Sequence, residues 1–110
     1  MKIAITDANI FIDLIHIELQ NELFAAGLEI HTTISVFDEL NNNQQEVLSK
    51  YIEQKQLMVH SNKPTNIPKE IQENRSLSPS DKSVFGLAID LSAFILTGDG
   101  LLRKVSVAKN

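Results

Sequence analysis

The stretch that decides the fold is LSPSDKSVFGLAIDLSAFILTGDG, residues 77–100. Ser78 occupies the N-cap position of a helix, Pro79 the first helical position and Asp81 the third, an arrangement close to a capping box. The spacing of the apolar residues after this start predicts that the helix runs to about Leu91. The stretch therefore opens with the most clearly marked helix start in the chain.

A short apolar strand follows this helix and leads to a carboxylate. The segment AFILT, residues 93–97, has the length and composition of a buried strand, and Asp99 comes after it. The first strand of the chain has the same form, because KIAIT, residues 2–6, ends directly at Asp7. Two predicted strands thus end beside an aspartate.

Strands and helices alternate along the whole chain. The predicted strands are 2–6, 28–33, 57–60 and 93–97. The predicted helices are 9–19, 21–26, a turn containing VFDEL that Ser35 caps, 45–54, a weak segment 68–75, 78–91 and a closing helix 101–108. Gly27 ends the second helix, and the polar patch NNNQQ at 41–45 indicates a loop. Because the strands are almost entirely apolar, this order predicts an α/β fold with a central parallel sheet in a three-layer α/β/α arrangement.

Composition restricts the classes of protein that remain. A chain of 110 residues has room for one domain, and its 43% apolar and 22% charged residues exclude a disordered or fibrous protein. It has no cysteine, which excludes a thiolate zinc site and favours the cytoplasm, and we expect no membrane segment. The net charge of -4 argues against a protein that coats nucleic acid. It still allows a site in which carboxylates hold cations that meet phosphates.

The two strand-end aspartates should lie at one edge of the sheet. In an open parallel sheet, ligands gather at the carboxyl ends of the strands. Asp7 follows the first strand immediately, and Asp99 follows the fourth after Gly98. We therefore expect both carboxylates at the same edge.

Helix geometry selects one acid from the VFDEL segment. Its apolar face is formed by Val36, Phe37 and Leu40. At about 100° per residue, Glu39 flanks this face whereas Asp38 lies almost opposite it. Glu39 is therefore predicted to face the sheet edge and Asp38 to face water.

The same geometry selects an acid from the helix that begins at Ser78. Asp81 falls on the apolar face with Val84 and Ala88, at the helix end nearest the strand ends, whereas Asp90 falls on the outer face. Asp81 is therefore the second helical acid predicted to reach the site.

Each of these acids also has an ordinary structural role open to it. Asp7, Asp81 and Asp99 could each only cap a helix, and Glu39 could be a solvated helix residue. Their convergence favours a shared cation, and a set of oxygen ligands suits Mg²⁺ or Mn²⁺ rather than zinc. The three histidines, His16, His31 and His60, show no metal-binding spacing and are interpreted as ordinary strand or surface residues.

Four segments taken together resemble the motifs of the PIN-domain nucleases, many of whose bacterial members are VapC-type toxins of toxin–antitoxin pairs. These segments are AITDANIFID, ISVFDEL, LSPSDKSVFGLA and ILTGDGLLRK. The resemblance extends from Lys2 to about Lys104 and describes residues 1–110 as a single PIN-like domain. By this resemblance, the four acids of the site are Asp7, Glu39, Asp81 and Asp99.

The resemblance implies a function and supporting residues. It implies cleavage of RNA by a metal-activated water, with Mg²⁺ or Mn²⁺ as cofactor. Asn9 and Thr97 match positions that support the site by hydrogen bonding. An antitoxin protein and a second copy of the chain are the implied protein partners. Separately, Lys82, Arg103 and Lys104 form a sparse basic rim that could hold phosphates or be merely solvated.

The chain departs from the family after its last motif. Two alternative functions also stay open. Family members usually continue with a further strand and a short helix, so the fold is expected either to be minimal or to lack its last edge strand. A PIN-like binding module without activity is the non-enzymatic alternative. A haloacid-dehalogenase-like phosphatase is a second enzyme class, although its motif requires an aspartate where this chain has Asn9.

Overall fold

The computed structural model describes residues 2–61 and 67–96, together with the backbone of residues 102–103. The strands are β1 (Lys2–Thr6), β2 (Leu28–Thr33), β3 (Leu57–His60), β4 (Phe94–Leu96) and β5 (Leu102–Arg103). The helices are α1 (Ala8–His16), α2 (Gln20–Phe24), α3 (Ile34–Glu39), α4 (Asn42–Glu53), α5 (Lys69–Gln72) and α6 (Pro79–Leu91).

The strands form one sheet in the order β3-β2-β1-β4-β5. The first four strands are parallel, which confirms the predicted α/β fold with helices flanking a parallel sheet. Thr6 pairs with Leu96, and Thr33 pairs with His60. The ends of these four strands form what we call the carboxyl edge, and the chain segments that follow the strands start along this edge.

The core lies on both sides of β1, the central strand. Ala4 and Ile5 are adjacent, so their side chains point to opposite faces, and both are fully buried. Phe11 of α1, Leu48 of α4 and Val84 of α6 belong to the same buried cluster. Such burial on both faces explains why the parallel strands are apolar runs rather than alternating ones.

The N-cap of helix α3 lies two residues before the cap predicted at Ser35. The N-cap is Thr33, the last residue of β2, whose hydroxyl accepts a hydrogen bond from the Val36 amide at 3.2 Å. The prediction was wrong because the strand leads into the helix without a loop, so the strand's own last side chain supplies the cap.

The polar NNNQQ patch is helical rather than a loop. Asn41 is the N-cap of α4, and it forms a capping box with Gln44, with side-chain to backbone distances of 2.8 and 2.9 Å. These two bonds satisfy amides of the first turn that would otherwise lack partners. Because residues 41–45 are all Asn or Gln, the helix start at Asn41 was not recognised from the composition.

Three other boundaries differ from the predicted ones. Helix α1 ends at His16 rather than residue 19, because Glu18 has a left-handed backbone with φ of 59°. Helix α5 covers only Lys69–Gln72 of the predicted segment 68–75. Helix α2 covers Gln20–Phe24 rather than 21–26, and its C-cap is Ala25, so Gly27, with φ of 79°, lies between the helix and β2 instead of ending the helix.

The closing helix predicted over 101–108 is wrong at its start. Leu102 and Arg103 form β5, which pairs antiparallel with β4 through Leu96 and Ile95. Pairing with the edge of β4 provides hydrogen bonds that the local sequence could not reveal. The parallel sheet therefore has a further strand beside β4, and residues 104–108 of the predicted helix lie outside the described residues.

Within the part of the chain that the structure describes, no helix is both long and apolar enough to cross a membrane.

Candidate functional site

Asp7 is held at the carboxyl edge by hydrogen bonds to its side chain and from its backbone amide. It is the N-cap of α1, where its Oδ1 accepts a hydrogen bond from the Ile10 amide at 3.0 Å. Its own amide donates to the Leu96 carbonyl of β4 at 3.3 Å. The carboxylate is half-buried and lies where the two central strands end. Asp7 thus does cap a helix, and the cap places the carboxylate at the predicted edge.

Glu39 is the last residue of α3, and it contacts the start of α6. Its Oε2 accepts a hydrogen bond from the Ser80 hydroxyl at 2.7 Å. Glu39 is exposed, whereas Ser80 is buried. The bond joins two segments that lie 41 positions apart in the chain. It brings the second and third predicted acidic motifs together.

Asp81 is next to Ser80 and forms the predicted capping box. Its Oδ2 accepts a hydrogen bond from the Ser78 amide at 3.1 Å, and its own amide donates to the Ser78 hydroxyl at 3.1 Å. The Ser78 and Ser80 hydroxyls are 3.0 Å apart. Asp81 and Glu39 are therefore linked through two serine side chains, so the structural role of Asp81 does not remove it from the site.

The acids that helix geometry assigned to solvent are exposed. Asp38 on α3 and Asp90 on α6 both lie at the surface. Asn9, predicted to support the site, is exposed in the first turn of α1. Thr97 and Asp99 lie outside the described residues.

One residue of the predicted basic rim has a described side chain. Lys82 follows Asp81, and its ammonium donates to the Gln72 carbonyl at 2.7 Å. Arg103 belongs to β5, and its side chain, like the whole of Lys104, lies outside the described residues. Lys82 therefore joins α6 to the end of α5 beside the predicted acids.

Among the described residues, the two helical acids, Glu39 and Asp81, have no basic partner. Within residues 2–61 and 67–96, the ion pairs join Glu29 to His31 and Lys69 to Glu73, and neither Glu39 nor Asp81 takes part in one. In the same residues, no three His, Asp or Glu side chains group closely enough to hold a metal ion, and this set does not include Asp99. In the part of the chain that the structure describes, the contacts to these two carboxylates are hydrogen bonds from neutral donors, Ser80 and Ser78.

A chain of polar side chains that the sequence analysis missed crosses β2 and β3. His31 is buried, and its Nε2 lies 2.8 Å from Glu29 Oε1 while its Nδ1 lies 2.7 Å from His60 Nε2. An ionised Glu29 carboxylate can only accept, so His31 Nε2 carries a proton. With both rings neutral, His60 Nε2 then donates to His31 Nδ1. Period-two alternation places Glu29 and His31 on one face, but the pairing of β2 with β3 is not readable from local sequence.

This contact also affects the titration of His60. Burial, and secondarily the charge of His31, lower the pKa of His60 below its ordinary value of 6.5. The unfolded chain therefore binds more protons than the folded protein as the pH falls below about 6.5. The stabilising contribution of neutral His60 is present above that pH and is lost as the pH falls through the lowered pKa.

We expect the pH dependence of unfolding to reveal this contribution. The free energy of unfolding of the parent should fall relative to that of His60→Asn as the pH decreases from about 7.5 to 5. Urea denaturation at several pH values measures the difference. His16→Asn, which changes an exposed histidine at the end of α1, is the matched control and should keep the pH profile of the parent. A constant difference between parent and His60→Asn would contradict the lowered pKa.

The comparison with protein families agrees with this geometry. The family model described as DUF3368, PIN domain, matches residues 3–110. Because the match covers nearly the whole chain, the chain belongs to the PIN-domain family, and the resemblance noted from its motifs is confirmed. The match also favours the PIN fold over the haloacid-dehalogenase-like alternative. No curated protein and no solved structure matches the chain.

Proposed function

We propose that this chain is a metal-dependent endoribonuclease in which Asp7, Glu39, Asp81 and Asp99 hold the metal. PIN domains are typically nucleases that use divalent metal ions, and the family match spans the chain. The observation that carries the proposal is the 2.7 Å bond between Ser80 and Glu39, because it joins two acidic motifs that lie 41 positions apart in the chain. We also propose that residues 1–110 form a single PIN-like domain.

The carboxylate donors are of the type that a hard divalent cation prefers, and the proposed site needs Asp99 because no three acids of the described residues group closely enough to hold a metal ion. Asp7, Glu39 and Asp81 offer carboxylate oxygens, which Mg²⁺ and Mn²⁺ prefer. In the described residues, Glu39 Oε2 accepts from Ser80 and Asp81 Oδ2 accepts from Ser78, and both carboxylates would be available to help hold a cation. Two carboxylates without basic partners in the described residues are also a site that gains from a positive charge.

The chain's own residues would bind and orient the substrate. A bound cation supplies a water of lowered pKa and neutralises charge on the phosphate. Lys82, Arg103 and Lys104 are the proposed contacts to RNA phosphates, with Asn9 and Thr97 as supporting residues. Lys82 is already ordered by its bond to the Gln72 carbonyl, so it can present a charge beside Asp81.

The biological setting that we propose is that of a toxin in a toxin–antitoxin pair. RNA is then the substrate, an antitoxin is the protein partner, a homodimer is the proposed assembly and the cytoplasm is the compartment. A small DNA-binding protein encoded immediately upstream would support this setting.

The test of the proposed activity is metal-dependent RNA cleavage. Purified protein free of contaminating nuclease should cleave single-stranded RNA with Mn²⁺ or Mg²⁺ and lose this activity in EDTA, and added Mn²⁺ should restore it. Gel analysis of a labelled RNA measures cleavage within the strand. Protein that binds the RNA in a filter assay but never cleaves it would contradict the enzyme and support the binding-module alternative.

A further inference from the structure

The hydroxyl of Ser80 is the buried contact of an exposed acid. Ser80 is 6% exposed and lies in the first turn of α6, and its hydroxyl lies 2.7 Å from Glu39 Oε2. Glu39 ends α3 and is itself exposed. An exposed glutamate normally samples several rotamers, and ordering it costs side-chain entropy. A fixed donor at one carboxylate oxygen restricts that freedom in advance.

The direction of every hydrogen bond around Ser80 follows from counting protons. A hydroxyl has one proton, and the Glu39 carboxylate can only accept, so Ser80 donates to it. The 3.0 Å contact with Ser78 must then be a bond that Ser78 donates. Ser78 also accepts from the Asp81 amide at 3.1 Å. The hydroxyls of Ser78 and Ser80 therefore connect the first turn of α6 to both Glu39 and Asp81.

A second hydroxyl pair holds the other end of α3 on the same helix. Ser83 donates to the Ser80 carbonyl at 2.6 Å, so the 2.8 Å contact between Thr33 and Ser83 is donated by Thr33. Thr33 also accepts from the Val36 amide as the N-cap of α3. Both ends of this six-residue helix are thus tied to α6, one through Thr33 and one through Glu39.

We infer that Ser80 is a positioning residue that holds the Glu39 carboxylate at the carboxyl edge before any metal or substrate binds. This inference rests on the proposed function for its consequence, since a pre-ordered Glu39 matters most when that carboxylate binds a cation. Its structural part, the ordering of Glu39 by Ser80, stands on the contacts alone. Removing an outer hydrogen-bond partner of a ligating carboxylate typically weakens metal binding by about 10- to 100-fold.

The first measurement is Mn²⁺ affinity by calorimetry in the full chain. Ser80→Ala should weaken Mn²⁺ binding at least about tenfold. Ser49→Ala is the matched control, because the exposed Ser49 hydroxyl on α4 bonds only its own helix, at the Gln45 carbonyl, and this variant should bind Mn²⁺ as the parent does. In a Glu39→Gln background, Ser80→Ala should add less than about threefold, because the two residues act as one unit. Equal losses in both backgrounds would overturn the inference.

The second measurement needs no metal and separates the inference from the proposed function. In EDTA, NMR relaxation of the Glu39 side-chain carbons should show greater motion in Ser80→Ala than in the parent or in Ser49→Ala. Melting curves identify any variant that fails to fold. If the parent binds no Mn²⁺, the proposed function fails, and the relaxation data alone decide whether Ser80 orders Glu39. Unchanged Glu39 motion in a folded Ser80→Ala protein would overturn the inference.

Discussion

Asp7→Asn, Asp81→Asn and Glu39→Gln should each reduce Mn²⁺-dependent RNA cleavage by about 100-fold or more, because each removes a charged ligand worth several kcal/mol of transition-state stabilisation. The same loss is expected for Asp99→Asn. The amide substitution is informative at Asp7, since asparagine caps a helix about as well as aspartate. Asp7→Asn should therefore keep its melting temperature while losing activity. Initial rates and melting curves of each variant make the measurement.

Two exposed acids on the same helices provide matched controls. Asp38 is on α3 beside Glu39, and Asp90 is on α6 with Asp81, and both control side chains lie at the surface, as does that of Glu39. Asp38→Asn and Asp90→Asn make the same charge change and should keep cleavage within a few-fold of the parent. If Asp38→Asn were as inactive as Glu39→Gln, the assignment of Glu39 to the site would fail.

Phe11→Ala should lower the free energy of unfolding by about 3–5 kcal/mol. Phe11 is 1% exposed and belongs to the core cluster on α1, the helix that Asp7 caps. Truncating the ring removes apolar burial and leaves a cavity that surrounding side chains fill only in part. Urea denaturation of parent and variant measures the change.

Ile17→Ala is the control for this prediction. Ile17 follows α1 and is 56% exposed, so its truncation should change the free energy of unfolding by no more than about 0.5 kcal/mol. Similar losses in both variants would mean that the buried face of α1 is not the one described. A core that loses several kcal/mol would also leave Asp7 less firmly held, and cleavage by Phe11→Ala should therefore be more sensitive to temperature than that of the parent.

Much of the fold was accessible from local signals. The capping box at Ser78 and Asp81, the strand before Asp7 and the turn at Gly27 all depend on residues within a few positions of one another. Caps and turns depend on hydrogen bonds between residues a few positions apart, so short stretches of sequence are enough to predict them. The start of α4 at Asn41 was equally local, but its capping box was concealed by a run of similar polar residues.

The candidate site was only partly accessible. Helix phase separated Glu39 from Asp38 and Asp81 from Asp90. Asp81 is less exposed than Asp90, but Glu39 and Asp38 are both exposed, so burial distinguishes only the second pair. The phase of a helix does not reveal what the next helix offers, so the buried Ser80 donor beside Glu39 was not foreseen.

The sequence by itself determined the order and type of most elements and the family of the chain, because periodicity, caps and motif spacing are properties of neighbouring residues. Only the tertiary structure decided the bond from Ser80 to Glu39, the contact between His31 and His60, and the pairing of β5 with β4. Each of these joins different elements, and the first two span 41 and 29 positions of the chain. Burial and strand order select such partners, since a polar group inside the fold bonds whichever group the packing of distant elements brings within reach.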